Sequence, residues 1–196
     1  MMTEARRSVF SSQQIEGLML AAMAAHVLYP RTPDLAYRQF DGMTPVALHT
    51  VYCATMVTQE AALPVELRRL GFEVLLFHDL LKDTTASYPV ALSDQARRLI
   101  EAMTYGDLDQ QRFFTSLDEE MQCILNARSA DCRLFMLYAK VGNLWDDADW
   151  MAPDQREQYL TYVLKLAEKV EGERGELGKK LRIISVARCL CAFRAA

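Results

Sequence analysis

His78 and Asp79 set an imidazole beside a carboxylate at the exit of an apolar run, Val74-Leu75-Leu76-Phe77. On a helix such neighbours lie about 100° apart. Asp83 follows Asp79 by four residues, so the two carboxylates share a face. This mixed nitrogen and oxygen set suits a first-row divalent ion. A His-Asp pair also arises by chance, so the dipeptide needs support from elsewhere in the chain. The other histidines are His26 and His49. His49 falls 29 residues before His78, in the early turns of its own helical segment. A third polar cluster, Lys140-Val141-Gly142-Asn143-Leu144-Trp145-Asp146-Asp147, closes another apolar helix.

The elements that must position these groups read as helices. Ser11-x-x-Gln14 forms a capping box before Ile15, Leu18, Met19, Ala22 and Met23, which predicts a helix over 12–28 ending before Pro30 and Pro33. Thr44-Pro45 reads as an N-cap and first helical residue for the segment carrying His49. Pro64 opens the helix that runs into His78. Ser93 and Ser116-x-x-Glu119 cap two more. Helices follow over 131–144 and 153–170, then a break at Gly172, Gly175 and Gly178, then a helix from Lys179. No strand alternation stands out. The expected fold is all-α, one helical domain over 1–196 with the segment 179–193 appended. Phe135, Met136 and Tyr138 read as core.

Composition narrows the function. The chain has 196 residues, 51% of them hydrophobic, enough for one sizeable core. A net charge of -4 without a basic run argues against nucleic acid as a partner. Five scattered cysteines without a CxxC pair read as reduced thiols in a cytoplasmic protein. The apolar stretch Leu18 to Leu28 is too short to cross a bilayer, and the polar residues Ser11 to Gln14 argue against a signal peptide.

In order and spacing, these segments resemble the HD-domain metal phosphohydrolases, most closely the hydrolase domain of the RelA/SpoT type and the small alarmone hydrolases. The resemblance runs from about residue 21 to 170. Ala25-His26 with Arg31 resembles the family's first helix end. Gly42-Met43-Thr44-Pro45 leading to His49 resembles the segment with the first metal histidine. His78-Asp79-Leu80-Leu81-Lys82-Asp83-Thr84 resembles the family's His-Asp-x-x-Glu-Asp-Thr. Ile100 to Thr104 resembles the helix before a variable loop, and Lys140 to Asp147 resembles Lys-Leu-Ala-Asp-x-x-x-Asn.

The resemblance implies a manganese ion, or another divalent metal, held by His49, His78, Asp79 and Asn143. It implies catalytic roles for Asp83 and Lys82. Substrate contacts would come from Arg31 (against a base), Lys82, Thr104, Lys140 and Asp147. The substrate would be a small nucleotide such as guanosine 3′,5′-bis(diphosphate), cleaved at its 3′ pyrophosphate. Two positions depart from the pattern. Lys82 stands where the family has its catalytic glutamate. Asn143 stands where it has a ligating aspartate, while Asp147 stands where it has asparagine. Both departures keep open a domain that binds a nucleotide or a partner protein without turnover. An HD-type 5′-nucleotidase is the other alternative. Plainer readings also stand: His26 as a group supporting a metal ligand from behind or simply a satisfied polar residue at a helix end, Lys82 as a helix C-terminal charge, and Asp146, Asp147 and Asp149 as a solvated acidic turn.

Overall fold

The computed structural model describes residues 11–38, 41–145 and 151–195. Helix α1 spans Ser12–Leu28, with the capping box formed as expected: the Ser11 hydroxyl accepts from Gln14 N, and the Gln14 side chain reaches back to Ser11 N. A 3-10 turn at Pro33–Ala36 leads to α2, Val46–Thr58. Thr44 does not cap α2. Its hydroxyl donates to Asp41 Oδ2 at 2.6 Å, and its N–H donates to Asp41 Oδ1, so the nearer carboxylate has captured the expected cap. Helix α3, Val65–Phe77, is followed after His78 and Asp79 by the single turn α4, Leu80–Asp83.

Ser93 caps α5, Asp94–Thr104. The chain then forms a small antiparallel hairpin, β1 at Tyr105–Asp107 and β2 at Arg112–Phe113. Sequence reading missed it because strands of three and two residues are too short to show a period-two pattern. Helix α6 is Leu117–Ala127. Ser116 caps it, but Glu119 completes no box: its carboxylate is taken by Arg112 and Thr115.

Helix α7, Ala130–Trp145, is the central element. Cys132 through Ala139 are all buried, as are Val141, Gly142 and Leu144. Phe135, Met136 and Tyr138 lie in the core. Helix α8, Pro153–Arg174, runs through Gly172, four residues past the expected end. The stop comes at Gly175, where φ is +54°. A 3-10 turn at Gly178–Lys180 precedes α9, Arg182–Ala195, which packs on α7 and α8. The fold is all-helical apart from the hairpin. Among the described residues no helix is long and apolar enough to cross a membrane.

Candidate metal centre

Three helices bring three of the four expected ligands together. Helix α2 supplies His49, and the kink between α3 and α4 supplies His78 and Asp79. The two imidazole rings lie 5.4 Å apart, centre to centre. One donor atom from each of His49, His78 and Asp79 falls within 4.8 Å of the other two. Two ligands sharing an ion at about 2.1 Å each can stand at most ~4.2 Å apart. The set is therefore roughly half an ångström from ligating geometry.

The His78 tautomer follows from its neighbours. Nδ1 lies 2.7 Å from the Leu75 carbonyl, which only accepts, so Nδ1 carries the proton. Nε2 faces Asp79 Oδ2 at 3.2 Å. In a neutral ring that is a lone pair aimed at a carboxylate. A cation must lie between them, either a proton or a metal. In the metal-free protein it is a proton. Burial works against the charged ring, but the Asp79 carboxylate, its hydrogen bond and the Leu75 carbonyl together raise His78 above its ordinary value. Asp79 answers in kind: burial resists ionisation, yet the His78 charge and hydrogen bond hold it well below the usual carboxylate range.

His49 behaves differently. Burial first, then the charges of Arg38 and His78, push it well below its ordinary value, so the ring is neutral. Its ring lies against Cys53, with Nε2 3.6 Å from Sγ. Helix α7 approaches this ring through Gly142. A Cβ there would overlap Cys53 Sγ and meet His49 Cε1 at 3.0 Å. Gly142 thus permits close packing of α7 on α2, and the helix continues through it to Trp145.

Asn143 is fastened on both sides of its amide. Its Oδ1 accepts from Arg38 Nη2 at 2.7 Å, and its Nδ2 donates to Tyr159 OH at 3.1 Å. Tyr159 in turn donates to the Lys140 carbonyl. The oxygen expected to meet a metal therefore carries a guanidinium. Arg38 is the residue that sequence reading missed. It is 105 residues from Asn143, and no local motif marks it. Its charge is felt by both His49 and Asp83.

Asp83 is buried beside this cluster. Burial, and then the charge of Asp79, raise its carboxyl to about 7, against the opposing charges of Lys82, His78 and Arg38. Lys82 is exposed next to it.

The other expected substrate contacts are placed as follows. Arg31 is exposed. It donates through Nη2 to the Leu81 carbonyl at 2.8 Å and lies over the Phe113 ring at 5.9 Å. Thr104 is buried, and its hydroxyl donates to the Ile100 carbonyl at 2.7 Å, with the His78 carbonyl at 3.5 Å. Lys140 pairs with Glu120 at 2.6 Å and lies over the rings of Tyr159 and Tyr162. Asp147, with Asp146 and Asp149, lies outside the described residues. His26 is buried, as a core residue would be, but neither ring nitrogen has a hydrogen-bond partner.

Comparison with known structures bears on this arrangement. The fold matches a solved structure of a metazoan ortholog of SpoT, with a TM-score of 0.62 over 93% of this chain and 99% of that chain, at 21% sequence identity. The chain has the HD-domain fold. That metazoan protein hydrolyzes ppGpp and plays a role in starvation responses. No family model matches the sequence, and no curated protein matches it. Within this HD-domain fold, the histidine-aspartate pair occupies the kink between α3 and α4, and His49 faces it from α2.

Proposed function

We propose that this HD-domain chain is a divalent-metal-dependent phosphohydrolase acting on a guanosine polyphosphate, releasing pyrophosphate from the 3′ position. The observation that carries this reading is the convergence of one ligand atom each from His49, His78 and Asp79 within 4.8 Å of one another, with His78 Nε2 3.2 Å from Asp79 Oδ2. That donor set fits Mn2+ or a similar ion. His49, His78 and Asp79 would hold it, and Leu75 would fix the His78 ring for the purpose. When bound, the ion polarises a phosphoryl oxygen and lowers the pKa of water.

The chain's own groups supply the rest. Asp83, with a carboxyl near 7, exchanges a proton at neutral pH, as a general acid or base must. It takes over a task that the family's missing glutamate would share. Asn143 holds Arg38 by its amide oxygen, so the guanidinium can meet phosphate oxygens as an oriented fork. Lys82 adds an exposed point charge for phosphate. Arg31 is less suited to stacking on a base than its sequence position suggests, since its guanidinium is engaged by the Leu81 carbonyl. The free cysteines fit a reducing, cytoplasmic setting.

One observation favours a second reading, a nucleotide-binding domain without turnover. Against His49, α7 presents Gly142 rather than a carboxylate. A three-ligand site holds a hard cation less tightly than a four-ligand one. One assay separates the two. The Mn2+-loaded protein is incubated with guanosine 3′,5′-bis(diphosphate), and the products are resolved. Release of pyrophosphate with guanosine diphosphate supports the hydrolase. Binding of the nucleotide with no product supports the second reading. Release of orthophosphate alone points to a phosphomonoesterase.

A further inference from the structure

His26 is 1% exposed, and neither Nδ1 nor Nε2 has a hydrogen-bond partner. A buried polar group without a partner is rare and calls for a non-protein one, most simply an ordered water. The surroundings say what that water would serve. His26 lies in the last turn of α1, which packs on α3 and α4. The residues just after it are bonded to the backbone at the end of α4. The Tyr29 carbonyl accepts from Thr85 N at 2.8 Å, and Arg31 N donates to the Asp83 carbonyl at 2.8 Å. The end of α1 is therefore fastened to the chain that leaves the His78-Asp79 kink through α4.

Helix α1 packs on both helices that flank the His78-Asp79 pair, and of that pair Asp79 has acceptor capacity to spare. His78 has both nitrogens committed, Nδ1 to Leu75 and Nε2 to Asp79. Asp79 has two oxygens with about four acceptor sites, and only Oδ2 faces His78. The field at His26 agrees with this placement: burial lowers it most, Asp79 raises it, and His78 lowers it. A neutral imidazole has one donor and one acceptor. Its N–H can hold a water whose own O–H donates to the carboxylate.

We propose that His26 is a positioning residue for the Asp79 carboxylate, acting through a buried water, so that the carboxylate presents an oxygen to the ion. The inference rests on the metal-centre reading above and assigns His26 no direct contact with metal or substrate. In metal sites, such supporting hydrogen bonds are typically worth 10–100-fold in metal affinity.

The test is a Mn2+ titration of the full chain, followed by calorimetry, for wild type, His26→Phe and His26→Gln, with thermal melts of each metal-free form. His26→Phe removes two unpartnered polar atoms and keeps the volume filled. Its metal-free melting temperature should match or exceed wild type, while its Mn2+ affinity falls 10–100-fold. His26→Gln, which keeps a donor and an acceptor, should bind Mn2+ within about fivefold of wild type. If His26→Phe does not fold, His26→Ala must show the same loss of Mn2+ affinity. Wild-type Mn2+ affinity in His26→Phe or His26→Ala overturns this inference alone, because it leaves His26 a merely structural role. Absence of Mn2+ binding by the wild type overturns both this inference and the metal-centre reading.

Discussion

Two buried carboxylates in this chain are treated in opposite ways. Glu60, two residues past α2, is 3% exposed. Its Oε2 accepts from Arg182 N at 2.8 Å and Ile183 N at 3.4 Å, and the Tyr138 hydroxyl lies at 3.5 Å. It therefore caps the N-terminus of α9, where unsatisfied N–H groups and the helix dipole favour an anion. Asp83, at the end of α4, is 8% exposed, and it faces a second carboxylate, Asp79. Burial and that repulsion push its carboxyl to about 7. One acid is placed to hold two helices together. The other is held where it is least comfortable, which is where the proposed proton transfer at neutral pH would need it. The candidate metal centre thus sets like charges side by side, inside a scaffold where the buried carboxylates Glu60 and Glu73 are each hydrogen-bonded. Arg133 shows the same rule on the scaffold side, paired with Glu173 and donating to the Ile124 carbonyl.

The comparison breaks most visibly at Glu60. Glu60→Ala should destabilise the protein by about 3 kcal/mol, since it uncaps α9 and strands the donors that Glu60 satisfied. Urea unfolding measures this, and Mn2+ affinity should stay at the wild-type value. A variant that keeps its stability would mean that the cap is decorative.

Gly142→Ala comes next. The added methyl meets Cys53 and the His49 ring, so α7 or His49 must shift. A cost of about 2 kcal/mol is expected from overpacking. Unlike Glu60→Ala, this variant should also lose Mn2+ affinity, because the displaced group is a proposed ligand.

Asp83→Asn should reverse the sign. Above its folded value of about 7 the native carboxylate is ionised at a cost that the unfolded chain does not bear. Between the ordinary value near 4 and about 7, the unfolded chain ionises while the folded one keeps its proton, so the penalty grows with pH. The metal-free variant should therefore be more stable than wild type by about 1–2 kcal/mol at pH 8, and by less at pH 5. Its hydrolytic rate should fall at least 100-fold. Equal stability at both pH values would show that Asp83 is not strained.

The smallest expected change is Lys82→Glu. The side chain is exposed, so stability should move by less than about 0.5 kcal/mol. Restoring a carboxylate beside Asp83 should raise kcat in a steady-state assay if proton transfer limits turnover.

Much of this arrangement was legible in the sequence, for local reasons. The capping box at Ser11 and the proline at position 30 bounded α1, and the apolar run before His78 marked a buried helix exit. His49, His78 and Asp79 stood out because each is a polar residue on an otherwise apolar element. What stayed hidden depends on contacts far apart in the chain or on close competition. Arg38 meets Asn143 across 105 residues of chain. Thr44 lost its cap to Asp41, three residues away, a choice that propensity alone does not settle. Gly142 is a contact point, which becomes visible only once α2 lies against α7.

The most direct test of the account is a calorimetric titration of the metal-free protein with Mn2+ in buffers of differing ionisation enthalpy, at several pH values. His78 must lose the proton it shares with Asp79 before a metal can take its place. One Mn2+ should bind per chain, with a proton released on binding, and its affinity should weaken as pH falls through the raised His78 value. In His78→Ala, both the binding and the proton release should disappear. Tight binding without proton release, or undiminished binding in His78→Ala, would contradict the central claim that the His49-His78-Asp79 cluster is the metal site.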